Sequence, residues 1–207
     1  MRVESVNVGR PRTVPHDGKT VTTAIWKHPV GGRVAVAGVN LDGDEQADRR
    51  VHGGADKAIY AYSLDDTDWW EAQLGRPLGP GAFGENLSTR GIDLRAALVG
   101  ARWRVGSALL EVRQPRIPCF KLGLRMDDPR FPKRFAEAER PGLYLAVVES
   151  GEVGAGDPIE VVERPDHDVT IALVNRARLH DKALLPRLLA APALPGDLRR
   201  WIEDRRA

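Results

Sequence analysis

Residues Leu98–Leu122 read LVGARWRVGSALLEVRQPRIPCFKL. Two short apolar runs, Leu98–Val105 and Ala108–Arg113, stand either side of Gly106-Ser107. This pattern predicts two strands joined by a hairpin turn. The segment Gln114–Leu122 follows at once and carries the single cysteine of the 207 residues, Cys119. Pro115 and Pro118 pin the backbone around it, so Arg116 and Cys119 are expected on a stiffened, non-helical chain. Arg116 and Lys121 stand close by, and positive neighbours favour thiolate over thiol. A thiolate is a nucleophile and a soft metal ligand, suited to a soft or high-valent metal rather than magnesium or calcium. The alternative is a buried small apolar residue, a common fate of free cysteine.

Outward from this hairpin, 21 glycines and 15 prolines punctuate short apolar runs. That favours many short strands over long helices. Strands are expected at Met1–Val8, Val21–Lys27, Arg33–Val39, Ala58–Ser63, Leu143–Glu149 and Pro158–Glu163. Leu41–Arg50 is polar and charged. Leu64–Leu74 is expected as a helix, with Ser63, Asp65 or Asp66 as cap, an apolar face of Trp69, Trp70 and Leu74, and a stop at Gly75. Gly79–Gly84 reads as a tight loop, Pro132–Glu139 as a helix and Gly151–Asp157 as turns. Charge and proline mark a boundary at Glu163–His167. Beyond it, Leu179, Leu184, Leu185, Leu188 and Leu189 recur at helical spacing, cut by Pro186, Pro192 and Pro195. The expected fold is mainly β, with a β-rich domain over residues 1–165 and a helical extension over 166–207.

Hydrophobic content of 42% and charged content of 29% are ordinary for a globular chain. A formal net charge of +2 with mixed signs gives no case for nucleic acid as the main partner. One cysteine excludes an internal disulfide. No run is long enough to span a bilayer, and the N-terminus lacks the pattern of a signal peptide, so a cytoplasmic protein away from the membrane is expected.

Four further features bear on chemistry. His52 lies in VHGGADKA, where Gly53 and Gly54 allow close backbone approach and Lys57 adds a cation. An anion such as phosphate needs those groups, although a surface turn reads the same way. No GxxxxGK[ST] loop is present. Phe83–Thr89, FGENLST, is a second glycine loop, in which Gly84, Glu85 and Asn86 either order a ligand or close a turn. Lys27 ends a strand beside a turn, where a lysine is usually solvated. His16, His28, His167 and His180 are scattered, and neither a zinc pattern nor a GxSxG elbow occurs.

Taken in order, IWKHPV, QADRRVHGGADKAIYAY, GAFGENLSTRGI, WRVGSALLEVRQPRIPCFKL and RPGLYLAVVESGEVGAGDPIEV closely resemble the MOSC domain, named for the molybdenum-cofactor sulfurase C-terminal region. The resemblance is to its YiiM-like branch, the 6-N-hydroxylaminopurine resistance type. It runs from Arg2 to Val162, and the tail is similar to that branch's three short helices. The resemblance implies a β-barrel-like core that binds the molybdenum cofactor (Mo-molybdopterin), with Cys119 as metal ligand. It implies reduction of N-hydroxylated purines and hydroxylamines, a detoxification of N-hydroxylated bases. Lys27, Lys57, Arg116, Asn86 and the glycine backbones at His52–Gly54 and Gly84 are then candidate cofactor partners, and His52 is the candidate proton donor.

No nicotinamide or flavin fingerprint is present, so an external reductase is expected as electron donor. Two other readings stay open: a sulfur carrier with a Cys119 persulfide, and a thiol hydrolase pairing Cys119 with His52. The tail would cover the site, form a homodimer surface or dock the reductase. Ala101 stands where many relatives have aspartate, and the sequence does not say which of Arg49, Arg50 and Arg116 faces the site.

Overall fold

The computed structural model describes residues 1–47 and 53–205. Strands β1 (Arg2–Val8), β2 (Arg12–His16), β3 (Lys19–Thr23), β4 (His28–Val30), β5 (Arg33–Ala37) and β6 (Asn40–Leu41) come first. Then follow β7 (Ile59–Ser63), helix α1 (Leu64–Leu74), β8 (Leu87–Arg90), β9 (Arg102–Val105) and β10 (Ala108–Pro115). Helices α2 (Phe120–Met126) and α3 (Phe131–Glu137) precede β11 (Leu143–Glu149), β12 (Gly151–Gly154) and β13 (Ile159–Glu163). The tail holds α4 (Ile171–Leu179), a 3-10 segment over Lys182–Ala190 and α5 (Gly196–Glu203).

Eight strands form one sheet in the order β13-β9-β10-β11-β7-β8-β1-β4. All its pairs are antiparallel except β7 with β8. A parallel pair needs a long crossover, and α1 with the loop behind it supplies one. A smaller sheet holds β12, β5 and β6, and among the described residues β2 pairs only with β3. The β9–β10 hairpin turns at Gly106, where φ is +56° and a Cβ would lie 2.2 Å from the Glu152 carbonyl oxygen.

The fold departs from the expectation of a mainly β chain. Strand makes up 34% and helix 28% of it, so the class is mixed. Nor does pairing run unbroken around a barrel among the described residues: β13 and β4 are the ends of the ladder. What joins the two sides is a short bridge, in which Val3 N–H donates to Asp157 O at 2.9 Å and Ile159 N–H to Met1 O at 3.1 Å.

Several boundaries shift for local reasons. The expected strand at Leu98–Val105 starts only at Arg102, because Ala101 N–H closes a turn on Leu98 O. The one expected at Val21–Lys27 ends at Thr23, whose hydroxyl takes the Ile25 N–H at 3.2 Å. Residues 87–89, read as part of a loop, form β8, and much of the turn region at Gly151–Asp157 is β12.

Helix α1 occupies the expected span. Of its three candidate caps Ser63 is used, its hydroxyl accepting the Asp65 N–H at 3.1 Å. Ser63→Ala is expected to cost about 1 kcal/mol, read as a lower urea midpoint at unchanged slope. Helices α1, α2 and α3 cover an aromatic cluster of Tyr62, Trp70, Phe83, Phe131 and Phe135. The Trp70 indole N–H inside it donates to the Tyr62 hydroxyl at 3.0 Å.

Tail residues Leu185, Leu188, Leu198 and Ile202 join the same apolar cluster as Val3, Trp103 and Leu110 on the sheet. Burial against the sheet therefore holds these short, proline-cut helices, which would be marginal alone. No helix among the described residues is long and apolar enough to cross a membrane.

Candidate functional site

A cleft opens where the Cys119 segment leaves β10 and meets the loops after β3, β6 and α1. Its cavity volume is about 110 Å³, and about 710 Å³ of empty space is counted when the open mouth is included. Lys27, Lys57, Gly84, Asn86, Arg116 and Cys119 all line it, although they come from four separate stretches. Cys119 is half-buried and extended (φ −134°, ψ 174°), immediately before α2. Helix α2 itself was not expected. His52, and the triplet Asp48, Arg49 and Arg50, lie outside the described residues. Among the described residues none from the tail lines the cleft.

Lys27 is buried, not solvated as a strand-end lysine usually is. Its ammonium pairs with the Asp44 carboxylate, which is buried too. The same carboxylate accepts the Gly9 N–H at 2.8 Å and the Asn86 side-chain amide at 2.9 Å. Burial pulls the Lys27 pKa down and the nearby Arg116 charge adds to this, while Asp44 opposes both. Asn86 knits the wall further, its Oδ1 accepting the Tyr60 N–H at 3.1 Å.

Arg116 is 6% exposed, donates to the Phe83 carbonyl and lies 4.9 Å over the Tyr60 ring. Burial lowers its pKa, but Tyr60, Tyr144 and Cys119 outweigh that and the balance is upward. It therefore remains a fixed positive charge facing the thiol, which favours thiolate.

The glycine loops work differently from expectation. Gly54 N–H is taken by Gln46 Oε1 at 2.9 Å and Gly84 N–H by Gly81 O at 3.0 Å. Neither donor is left over for an anion. At Gly84, instead, φ is +76° and a Cβ would lie 2.8 Å from Ile25 Cγ1 and 3.0 Å from Ile25 O. Gly84→Ala is expected to destabilise by about 1–3 kcal/mol and to displace the cleft wall at Ile25, seen as a lower melting temperature together with weaker ligand binding.

Glu85 is fully buried behind the wall and staples the loop. It accepts the Gly81 N–H at 2.6 Å, the Phe83 N–H at 3.0 Å and the Ser88 hydroxyl at 2.7 Å. Burial raises its pKa and these bonds hold it back. Asp44, Tyr60 and Tyr144 are cleft residues that the sequence reading does not single out. An acid in a turn-rich stretch and two tyrosines near strands carry no local signal.

Among the described residues no group of three or more His, Cys, Asp and Glu is placed to hold a metal. A metal in this cleft must bring most of its own ligands, and an organic dithiolene completed by one protein thiolate does so. Buried or lining cations at Lys27, Lys57, Arg116 and Lys121 suit an anionic group. The residues present thus fit a molybdenum–pterin group.

Comparison with known proteins is consistent in one direction. Residues 48–160 match the MOSC domain family. Protein YiiM of Escherichia coli is 34% identical over 97% of this chain and 91% of its own length. A Gibberella moniliformis protein named reductase is 36% identical over 77% of the chain, which spans only 29% of that protein. The crystal structure of YiiM from Geobacillus stearothermophilus superposes with a TM-score of 0.83 at 33% identity, covering 100% of this chain and 99% of that one.

Proposed function

The chain belongs to the MOSC domain family, and from that premise we propose that it is an oxidoreductase that binds the molybdenum cofactor in this cleft and reduces N-hydroxylated compounds with electrons from an external reductase. The observation that carries the reading is the meeting of the single cysteine with Arg116, Lys27, Lys57 and Lys121 on one cleft. The relative named reductase supports the reaction class.

In this reading Cys119 supplies the protein's one sulfur ligand. Arg116 offers a rigid planar fork to a phosphate, while Lys57 and Lys121 add point charges along the lining. Bound there, the cofactor supplies the two-electron redox chemistry that the side chains lack. Cleavage of an N–O bond to amine and water consumes two protons. His52 remains the proposed donor. Lys27, which burial pulls below the ordinary lysine range and Asp44 holds in place, is a second candidate.

The test is turnover of an N-hydroxylated purine by the chain purified from a host that makes the cofactor, with and without a flavin-dependent reductase. Amine formation only with the reductase is expected. Turnover with NADH alone would remove the partner from the scheme. Cyanide-releasable sulfur without turnover would replace reduction by sulfur carriage.

A further inference from the structure

Lys121 lines the cleft, and Arg125 follows it one turn later on the same face of α2. The Arg125 side chain is half-buried, and its Nε is buried without a hydrogen-bond partner. Two more guanidiniums, Arg12 on β2 and Arg76 after α1, lie near enough to repel it. Burial first, and then these two charges, push its pKa down against the pull of Glu85.

Arg76 is fixed by donating to Met126 O at 3.0 Å, and Arg12 lies 3.5 Å over the Trp26 ring. Among the described residues none of the three forms an ion pair with a carboxylate. Glu85, the acid whose charge acts on Arg125, is already occupied by its three donors. Three neighbouring cations of this kind suit an anion that offers several oxygens and about two charges, as a phosphate monoester does and a carboxylate does not.

A second observation lies on the same hairpin. His16 shares the β2 face of Arg12 and stacks on Phe120, with centroids 4.7 Å apart and planes 10° from parallel. Phe120 is the residue after Cys119 and is 43% exposed. Strand β2 thus runs beside α2 with an aromatic pair next to the cysteine and an arginine cluster about 7–8 Å further along the helix axis.

We propose that this rim is a substrate subsite, in which the exposed Phe120–His16 pair receives a planar base and Arg12, Arg76 and Arg125 receive its 5′-phosphate, so that a nucleotide bearing the N-hydroxylated base is preferred to the free base. This substrate preference rests on the reduction proposed above. The subsite itself does not.

Calorimetric titration of the full chain with adenosine monophosphate, adenosine and inorganic phosphate tests it. The monophosphate is expected to bind at least about tenfold more tightly than the nucleoside, with an advantage that falls as salt is raised. Arg125→Gln should remove most of that advantage and leave adenosine unchanged. Arg12→Gln, at an exposed position, should do the same in part without risk to the fold. Phe120→Ala should weaken both ligands. Equal binding of monophosphate and nucleoside, or inorganic phosphate binding as tightly as the monophosphate, would overturn the subsite. A phosphate-dependent advantage in a chain that reduces nothing would sustain the subsite and reject the reduction.

Discussion

Asp44→Ala is expected to destabilise the protein by about 3–5 kcal/mol, because it strands a buried charge. Asp44 is the counter-ion of Lys27, and it also takes the Gly9 N–H and the Asn86 amide, so three donors lose their acceptor at once. The pH dependence gives the cause away. Burial already holds the Lys27 pKa below 10.5, and loss of Asp44 lowers it further. Between that folded value and 10.5 the unfolded chain carries a proton that the folded chain lacks, so stability rises with pH through this window. The deficit of the variant should therefore shrink as pH is raised from about 7 toward 10. The double variant Lys27→Met/Asp44→Leu should recover the part of the loss that comes from the stranded charge and should abolish its pH dependence, while the Gly9 N–H and the Asn86 amide stay without their acceptor. Urea titrations of the three proteins across pH measure all of this. A deficit that does not change with pH would show that packing, not the Lys27 charge, explains the loss.

Arg116→Met is expected to do the opposite. It removes a buried cation whose described hydrogen bond goes to the Phe83 carbonyl, a weak contribution once desolvation is counted. Stability should stay within about 1–2 kcal/mol of wild type. Function should not. If Arg116 holds an anionic group of the cofactor and keeps Cys119 as thiolate, cofactor affinity should fall about ten- to hundredfold, the range of a lost charge-assisted contact. Arg116→Lys should recover little, because a point charge does not reproduce the planar fork. Melting temperature and cofactor retention on a desalting column separate the two effects. Retention equal to wild type in Arg116→Met would remove this residue from the cofactor's site.

These two variants also show where the sequence is legible. Arg116 and Cys119 are marked by neighbours in the chain: two prolines, a hairpin just before, a second cation just after. Helix α1 is marked in the same way, by Ser63 at one end and Gly75 at the other. Asp44 carries no such mark, because its partners Lys27 and Asn86 lie 17 and 42 residues away and only the tertiary fold chooses them. Strand β8, LSTR, reads as a loop because its polar residues are buried by pairing with β1 and β7, which its own alternation does not announce. Helix α2 is hidden for another reason. The prolines before it dominate the reading of Gln114–Leu122, and seven residues give too little periodicity to compete. The tail's leucines are visible as helical, but that they share the sheet's own core is a property of packing.

The most direct test of the account is the molybdenum content per chain of wild type and Cys119→Ser, both expressed in a host that makes the cofactor. Close to one metal per wild-type chain, with the metal much reduced or readily lost in Cys119→Ser, is the predicted result. No molybdenum in either protein, with the host's cofactor supply verified, would contradict the account and leave Cys119 to sulfur carriage or thiol hydrolysis.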